Sequence, residues 1–388
     1  MRICLVTLDF APFRSSGLAV YGEKLAQGLV ARGHRVTVVA ADRPQEESLE
    51  AFPLLDGIQV VRVPIGPTNW IGVSWRAASF LHKHQAEFDV IHFLDVHFAY
   101  AYRGRFLASA FQSFRQRLDS HHGLPYHTNR RNLLFRWFYY QAARWTMERR
   151  AVTRACHIIM PSRSTQQEFV AEYGLPSGRT SLVYLGIDLQ RFNALQTRSD
   201  ARQKLGLGTG DQVLLYVGFS TARKGVVYLA EALRLARSPA RLLMVGKWEP
   251  GYLQRFLERL GDAQQRAHVV GYVPDAELGA YYAAADVFVS PTLLEGFGIP
   301  LVEAMATGLP VITTTGGAAA EVVGEGGITV SPADSQALAS AIERVLGDPE
   351  LRQQLGRNGQ RRAHTLFDQS CMIDNTESVY RSVLKAEA

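Results

Sequence analysis

Apolar, β-branched runs alternate with stretches of helical period along the whole chain, beginning with RICLVTL at residues 2–8. A short, continuous apolar run reads as a strand buried on both faces, the habit of a parallel sheet covered by crossover helices. Residues 17–32 are predicted as a helix with Val20, Leu25, Leu29 and Val30 on its apolar face and Gly33 ending it. Strands are predicted at 35–40, 58–63, 90–94 and 158–160, then a helix capped by Ser162 or Ser164, then a last strand at 182–185. The pattern then restarts. Runs at 213–217, 241–245, 268–270, 287–289 and 311–313 give five more strands with helices between them. The fold class is therefore α/β, with two consecutive doubly wound, Rossmann-like domains and a boundary near 186–193. We place the domains at 1–188 and 189–367, and read the segment after about 365 as helical.

Bulk properties narrow the class. A length of 388 residues gives room for two cores, and 47% hydrophobic with 20% charged residues is ordinary for a soluble enzyme. Cys4, Cys156 and Cys371 are far apart and match no CxxC spacing. They argue against a disulfide framework or a thiolate zinc site and fit a reducing cytosol. The first residues enter a strand-like run with no secretory leader pattern, and no apolar run approaches the roughly 20 residues of a membrane helix. The expectation is a cytoplasmic protein, at most peripheral at the inner face of the membrane. Charge is uneven: residues 1–190 hold 22 Lys and Arg against 15 Asp and Glu, whereas the rest holds 20 against 21. A basic first half attracts phosphate-bearing acceptors or anionic headgroups, or is simply a solvated Arg-rich surface. No nucleic-acid motif is present.

The densest chemistry lies in SPTLLEGFGIPLVEAMATGLPVITTTGG, residues 290–317. A strand ends at Ser290, a loop carries Glu295, Gly296 and Gly298, and Pro300 sits where a first helical turn tolerates it. Gly308 ends that short helix and Val311 begins the next strand. Loop glycines ahead of a helix N-terminus let backbone approach a ligand, and the free N–H groups and helix dipole favour phosphate. Ligands of open α/β sheets bind outside the carboxyl ends of the strands, where this loop falls. Glu303 follows Glu295 by eight positions, inside the helix, so one carboxylate can face a reacting group while the other accepts hydroxyl hydrogen bonds.

This stretch resembles the E-x7-E signature of the retaining GT-B glycosyltransferases of family four. Other pieces follow in family order over nearly the whole chain: Ser16-Gly17 leading into LAQGLVARGHRVTVVA, DVIHFLD, His122-Gly123, LVYLGIDLQRF, YVGFSTARKG and VVGYVPDAELGAYYAAADVFVSP. The resemblance implies two domains facing a cleft, with a C-terminal helix (about 368–388) crossing back to the first. It implies transfer of a hexose from a UDP-, GDP- or ADP-sugar to an acceptor hydroxyl, with no cofactor and no metal. Lys224 would contact the diphosphate, Glu303 the ribose and Glu295 the transferred sugar. Backbone around Gly296, Phe297, Gly298 and Ile299 would cradle sugar and phosphate, and Gly218 would line the same pocket. The loop carrying Val273 would lie against the base. Gly17 would approach the phosphate or acceptor, and His122 would reach the donor sugar. The chain departs from the family pattern in two places. Phe219 stands where Arg is common, leaving Arg223 to supply a second positive charge, and Ser16 replaces a glycine.

A retaining double displacement needs a carboxylate nucleophile beneath the anomeric carbon. The family pattern places none, so the expectation is front-face substitution in cell-envelope glycan, glycolipid or small-molecule glycoside synthesis. An epimerase of the same fold, which would turn over the sugar nucleotide without acceptor, and a catalytically silent nucleotide-binding scaffold are the alternatives. His92, Asp95, His97, His121, His122 and His127 invite a metal site, but their spacing is not a standard ligand set and no DxD motif appears. Residues 130–150 mix six arginines with aromatics; Leu134, Trp137, Phe138 and Trp145 fall roughly along one side. A membrane-surface helix has that mixture. A domain helix that buries its aromatic side while its arginines snorkel is the commoner explanation.

Overall fold

The computed structural model describes residues 1–11, 17–42, 56–65, 69–119, 130–192 and 197–386. Two compact units emerge: Met1–Gln116 with Phe138–Gly186 and Gln369–Ala388, and Arg117–Trp137 with Ile187–Asp368.

The first unit holds a seven-stranded parallel sheet: β1 Arg2–Thr7, β2 Arg35–Asp42, β3 Ile58–Pro64, β4 Val90–Phe93, β5 Leu107–Ser109, β6 His157–Met160 and β7 Thr180–Leu182. Its order is β3-β2-β1-β4-β5-β6-β7, so chain order reverses between β1 and β4. Cys4, Val6, Val39, Ile91, Phe93, Ala108 and Ile158 supply its core. Two elements differ from expectation. β5 is three residues long and carries no readable period. The last strand lies at Thr180–Leu182 rather than 182–185, because the ladder pairs Ile158 with Thr180 and Met160 with Leu182. Beyond it Val183 N–H still donates to the Met160 carbonyl at 2.9 Å, and Val183 and Leu185 are buried.

The helix Gly17–Ala31 buries Tyr21, Leu25, Ala26 and Leu29, whereas Val20 and Val30 are only half-buried. It packs against the C-terminal helix Gln369–Lys385, which belongs to this unit. Contact is close at Gly28, where a Cβ would lie 1.9 Å from Cδ1 and 2.7 Å from Cγ1 of Ile373. Gly28→Val should therefore destabilise the chain by about 1–3 kcal/mol through overpacking, seen as a lower thermal midpoint. Trimming the neighbour in Gly28→Val/Ile373→Ala should recover part of it.

The second unit holds a six-stranded parallel sheet: β8 Val213–Val217, β9 Arg241–Val245, β10 Ala267–Gly271, β11 Val287–Ser290, β12 Val311–Thr314 and β13 Gly327–Val330. Its order is β10-β9-β8-β11-β12-β13, so chain order reverses between β8 and β11. The sequence shows five of these six strands. β13 escapes it because Gly327 opens the strand where a Cβ would fall 2.0 Å from the Val311 carbonyl oxygen, and glycine hides β character.

The basic, aromatic segment forms a helix Arg130–Ala143, a π-helical turn Arg144–Glu148 and a helix Arg149–Arg154. Its aromatic side is not buried: Phe135 is 72% exposed, Phe138 62% and Trp145 52%. The reason is in the turn. Ala143, Glu148, Ala151 and Val152 form the inward face, and the Glu148 carboxylate accepts the Phe114 N–H at 2.8 Å.

Candidate functional site

After β8 the chain turns through Gly218 (φ 155°) into a short 3-10 turn, Ala222–Lys224, closed by Gly225 at φ 64°. A Cβ on Gly225 would stand 2.1 Å from the Pro291 carbonyl oxygen, so this turn lies backbone to backbone against the segment leaving β11. Leu293 N–H donates to the Arg223 carbonyl at 2.8 Å and ties the two loops together. β8 and β11 flank the point where the second sheet reverses its order, the place where open α/β sheets bind ligands.

The loop after β11 is pinned from its other side. Glu295 N–H donates to Gly316 at 3.2 Å, and Ala318 N–H donates to the Glu295 carbonyl at 2.8 Å. Gly298, at φ 95°, precedes the helix Ile299–Ala306, which has Pro300 in its first turn. The Glu295 Cγ lies 3.2 Å from where a Gly298 Cβ would be, so glycine lets this carboxylate lie against the helix N-terminus.

Lys224 and Arg223 converge on that carboxylate. Lys224 Nζ pairs directly with Glu295 Oε2, and Arg223 Nη1 is 3.6 Å from Oε1 while donating to the Leu294 carbonyl at 2.6 Å. Burial works to raise the Glu295 carboxyl, but the charges of Lys224 and then Arg223 outweigh it and hold it below the ordinary range. Burial lowers the Lys224 ammonium against the pull of Glu295.

Glu303 is buried inside the helix, with both carboxylate oxygens engaged. Arg191 donates to Oε1 at 2.6 Å and the Tyr282 hydroxyl donates to Oε2 at 2.7 Å. Here burial prevails and raises the carboxyl, Arg191 being the strongest opposing charge. Neither Arg191 nor Tyr282 stands out in the sequence. One lies within LGIDLQRF and the other in an alanine-rich helix, and spacing alone does not aim either at Glu303.

The structure thus brings Arg223, Lys224, Glu295, Gly296 and Gly298 together at one strand edge, with Glu303 in the adjoining helix. Gly296 N–H hydrogen-bonds the Glu295 carboxylate. Phe297 turns its side chain inward onto Phe367, ring centroids 5.5 Å apart, so its backbone alone can face a ligand. Ile299 is half-buried, Val273 is buried after Gly271, and Phe219 is 53% exposed. Gly17, in the other unit, begins its helix exposed. His122 lies outside the described residues, as do Ser16, His121 and His127.

The remaining histidines have structural partners. His92 is held between Tyr380 (2.7 Å) and Ser109 (2.9 Å), and burial pushes it down to about 3. Burial also works to lower His97, but Asp95 and Glu148 outweigh it and lift it to about 9. Among the described residues, no group of three or more His, Cys, Asp and Glu side chains could hold a metal ion.

Comparison with known proteins decides the family. Glycosyltransferase Family 4 matches residues 15–191, and Glycosyl transferases group 1 matches residues 197–362. The chain belongs to the group 1 glycosyltransferases. A glycosyltransferase of Methanocaldococcus jannaschii, itself uncharacterized, is 27% identical to it over 99% of both chains. Among solved structures, sucrose-phosphate synthase from Thermosynechococcus elongatus superposes with a TM-score of 0.80 at 24% identity, covering 99% of each chain. Anabaena HepE in complex with UDP-glucose gives 0.74 at 20% identity, covering 98% of this chain and 100% of that one. The fold of this glycosyltransferase is accordingly GT-B, and its activity is sugar transfer in glycan or glycoside synthesis.

Proposed function

We propose that the enzyme moves a hexose from a nucleoside-diphosphate sugar to an acceptor hydroxyl with retention, by front-face substitution. The observation that carries this reading is the Glu295 carboxylate, pinned at the N-terminus of Ile299–Ala306 and paired with Lys224 and Arg223 at the reversal point of the second sheet. The ammonium has three N–H donors, so Lys224 can keep Glu295 and still reach a diphosphate oxygen. As the sugar–phosphate bond breaks, Lys224, Arg223 and the helix N-terminus stabilise the departing charge. The leaving oxygen takes the acceptor proton. A carboxylate held well ionised by two cations suits contacts with sugar hydroxyls better than nucleophilic attack. HepE, solved with UDP-glucose, makes UDP-sugars the first donors to try.

The test is a thermal-shift panel of UDP, GDP, ADP and their sugars, followed by transfer assays. A ligand that binds only the native state raises its melting temperature by mass action. Glu303→Ala should weaken binding of the active nucleotide by about tenfold or more, since it removes hydrogen bonds to a charged group. Turnover of the sugar nucleotide without any acceptor would mark an epimerase instead. Two protein cations supply the charge on the diphosphate, so transfer should be unaffected by a chelator.

The acceptor is a phosphate-bearing or lipid-linked molecule in this reading, and the basic, aromatic helix Arg130–Ala143 meets an anionic membrane surface. Leu134 and Phe135 are 61% and 72% exposed, and the Arg144 and Arg149 guanidinium groups lie 5.0 and 5.4 Å over the Trp145 ring. No described helix is long and apolar enough to cross a membrane. Leu134→Ser/Phe135→Ser should reduce sedimentation with phosphatidylglycerol vesicles by about tenfold, the worth of two partly inserted apolar side chains. Equal binding of wild type and variant would remove this contact from the reading.

A further inference from the structure

Glu303 sits where burial works against its charged form. It is 7% exposed, burial raises its carboxyl, and Asp275 adds a like charge. A neutral carboxyl carries a proton on one oxygen and is a poorer acceptor than the carboxylate. The groups acting on Glu303 from the elements around it are Arg191, on the 3-10 turn Leu189–Phe192, and Tyr282 and Asp275, on the helix Asp275–Ala284. Only Arg191 among them is positive.

The geometry around Arg191 is also fixed. Its guanidinium lies 4.7 Å over the Phe192 ring, and Phe192 meets Tyr282 edge to face at 6.1 Å. Arg191 and Tyr282 each take one lone-pair direction of a different Glu303 oxygen, at 2.6 and 2.7 Å. One acceptor direction then remains on each oxygen, a pair suited to a vicinal diol.

We propose that Arg191 is a positioning residue that fixes the two Glu303 oxygens toward the ribose 2′- and 3′-hydroxyls of the sugar nucleotide. The assignment rests on Glu303 being the ribose acceptor. Arg191 acts through Glu303 and takes no part in the chemistry. Its effect is therefore confined to ribose recognition.

The test compares binding of UDP, GDP and ADP with their 2′,3′-dideoxy counterparts by calorimetry. Wild type should prefer the ribose form by about tenfold, and Glu303→Gln should erase the preference. Arg191→Met keeps the side-chain stem over Phe192. It should lose most of the preference while binding the dideoxy form as the wild type does. Arg191→Lys, which keeps the charge without the planar fork, should recover part of it. If Arg191→Met keeps its preference, or weakens binding of both forms equally, the inference is overturned while the ribose role of Glu303 stands. If wild type shows no preference, or Glu303→Gln keeps it, that role fails and the inference falls with it. Should Arg191→Met not fold, Arg191→Gln is read by the same criteria.

Discussion

Lys224→Ala should lower kcat/KM by about 10²–10³-fold, mainly through kcat, the range found when a preorganised group facing developing charge is removed. The charge on the leaving diphosphate grows as the bond breaks, so the interaction is stronger in the transition state than in the ground state. The same substitution leaves the 10%-exposed Glu295 side chain with Arg223, 3.6 Å away, as its neighbouring cation. Removing one partner of a buried pair leaves the other charge poorly compensated, and a stability loss of about 2 kcal/mol is expected. Its pH dependence has a definite sign. In the wild type the folded-state carboxyl titrates below its unfolded value. The pair therefore contributes fully above about pH 4.3, and that contribution disappears as pH falls through the lowered folded value. Without Lys224, burial is opposed mainly by Arg223 and the contribution shrinks. Pairing Lys224→Ala with Glu295→Ala in a double-mutant cycle should recover part of the stability and none of the activity. An unchanged kcat/KM in Lys224→Ala would falsify the leaving-group role.

Most of the architecture is legible in the sequence, because parallel strands buried on both faces are continuous apolar runs. The exceptions share a cause. β5 and β13 are short and lean on neighbours, and Gly327 is glycine because the Val311 carbonyl oxygen leaves no space for a side chain. The candidate site is legible where one local segment carries it, as with Glu295, Gly298 and Glu303. Arg191 and Tyr282 reach Glu303 across 112 and 21 positions of sequence, and no spacing rule reports such pairs. The aromatic helix misleads for another reason. Its composition suits either burial or exposure, and the π-helical turn decides the matter by aiming Glu148 inward.

Gly225→Ala should have a large effect on the second unit for a single methyl group. Two costs act together. At φ 64° an L-residue is strained by about 1–2 kcal/mol, and the added carbon would stand 2.1 Å from the Pro291 carbonyl oxygen. That oxygen is backbone next to β11 and cannot rotate away, so the two loops must part. A total of about 3 kcal/mol is expected, a fall of roughly 6–12 °C in thermal midpoint for a unit of this size. Gly210→Ala is the control, since nothing lies within 4 Å of its Cβ position and its backbone is not left-handed. Gly225→Ala should also displace Lys224 next to it from Glu295, so nucleotide binding should weaken even well below the new midpoint. If stability fell and affinity did not, the turn would serve the fold alone. If neither changed, the backbone contact between the two loops would be wrong, and with it the physical basis for placing Lys224 against Glu295.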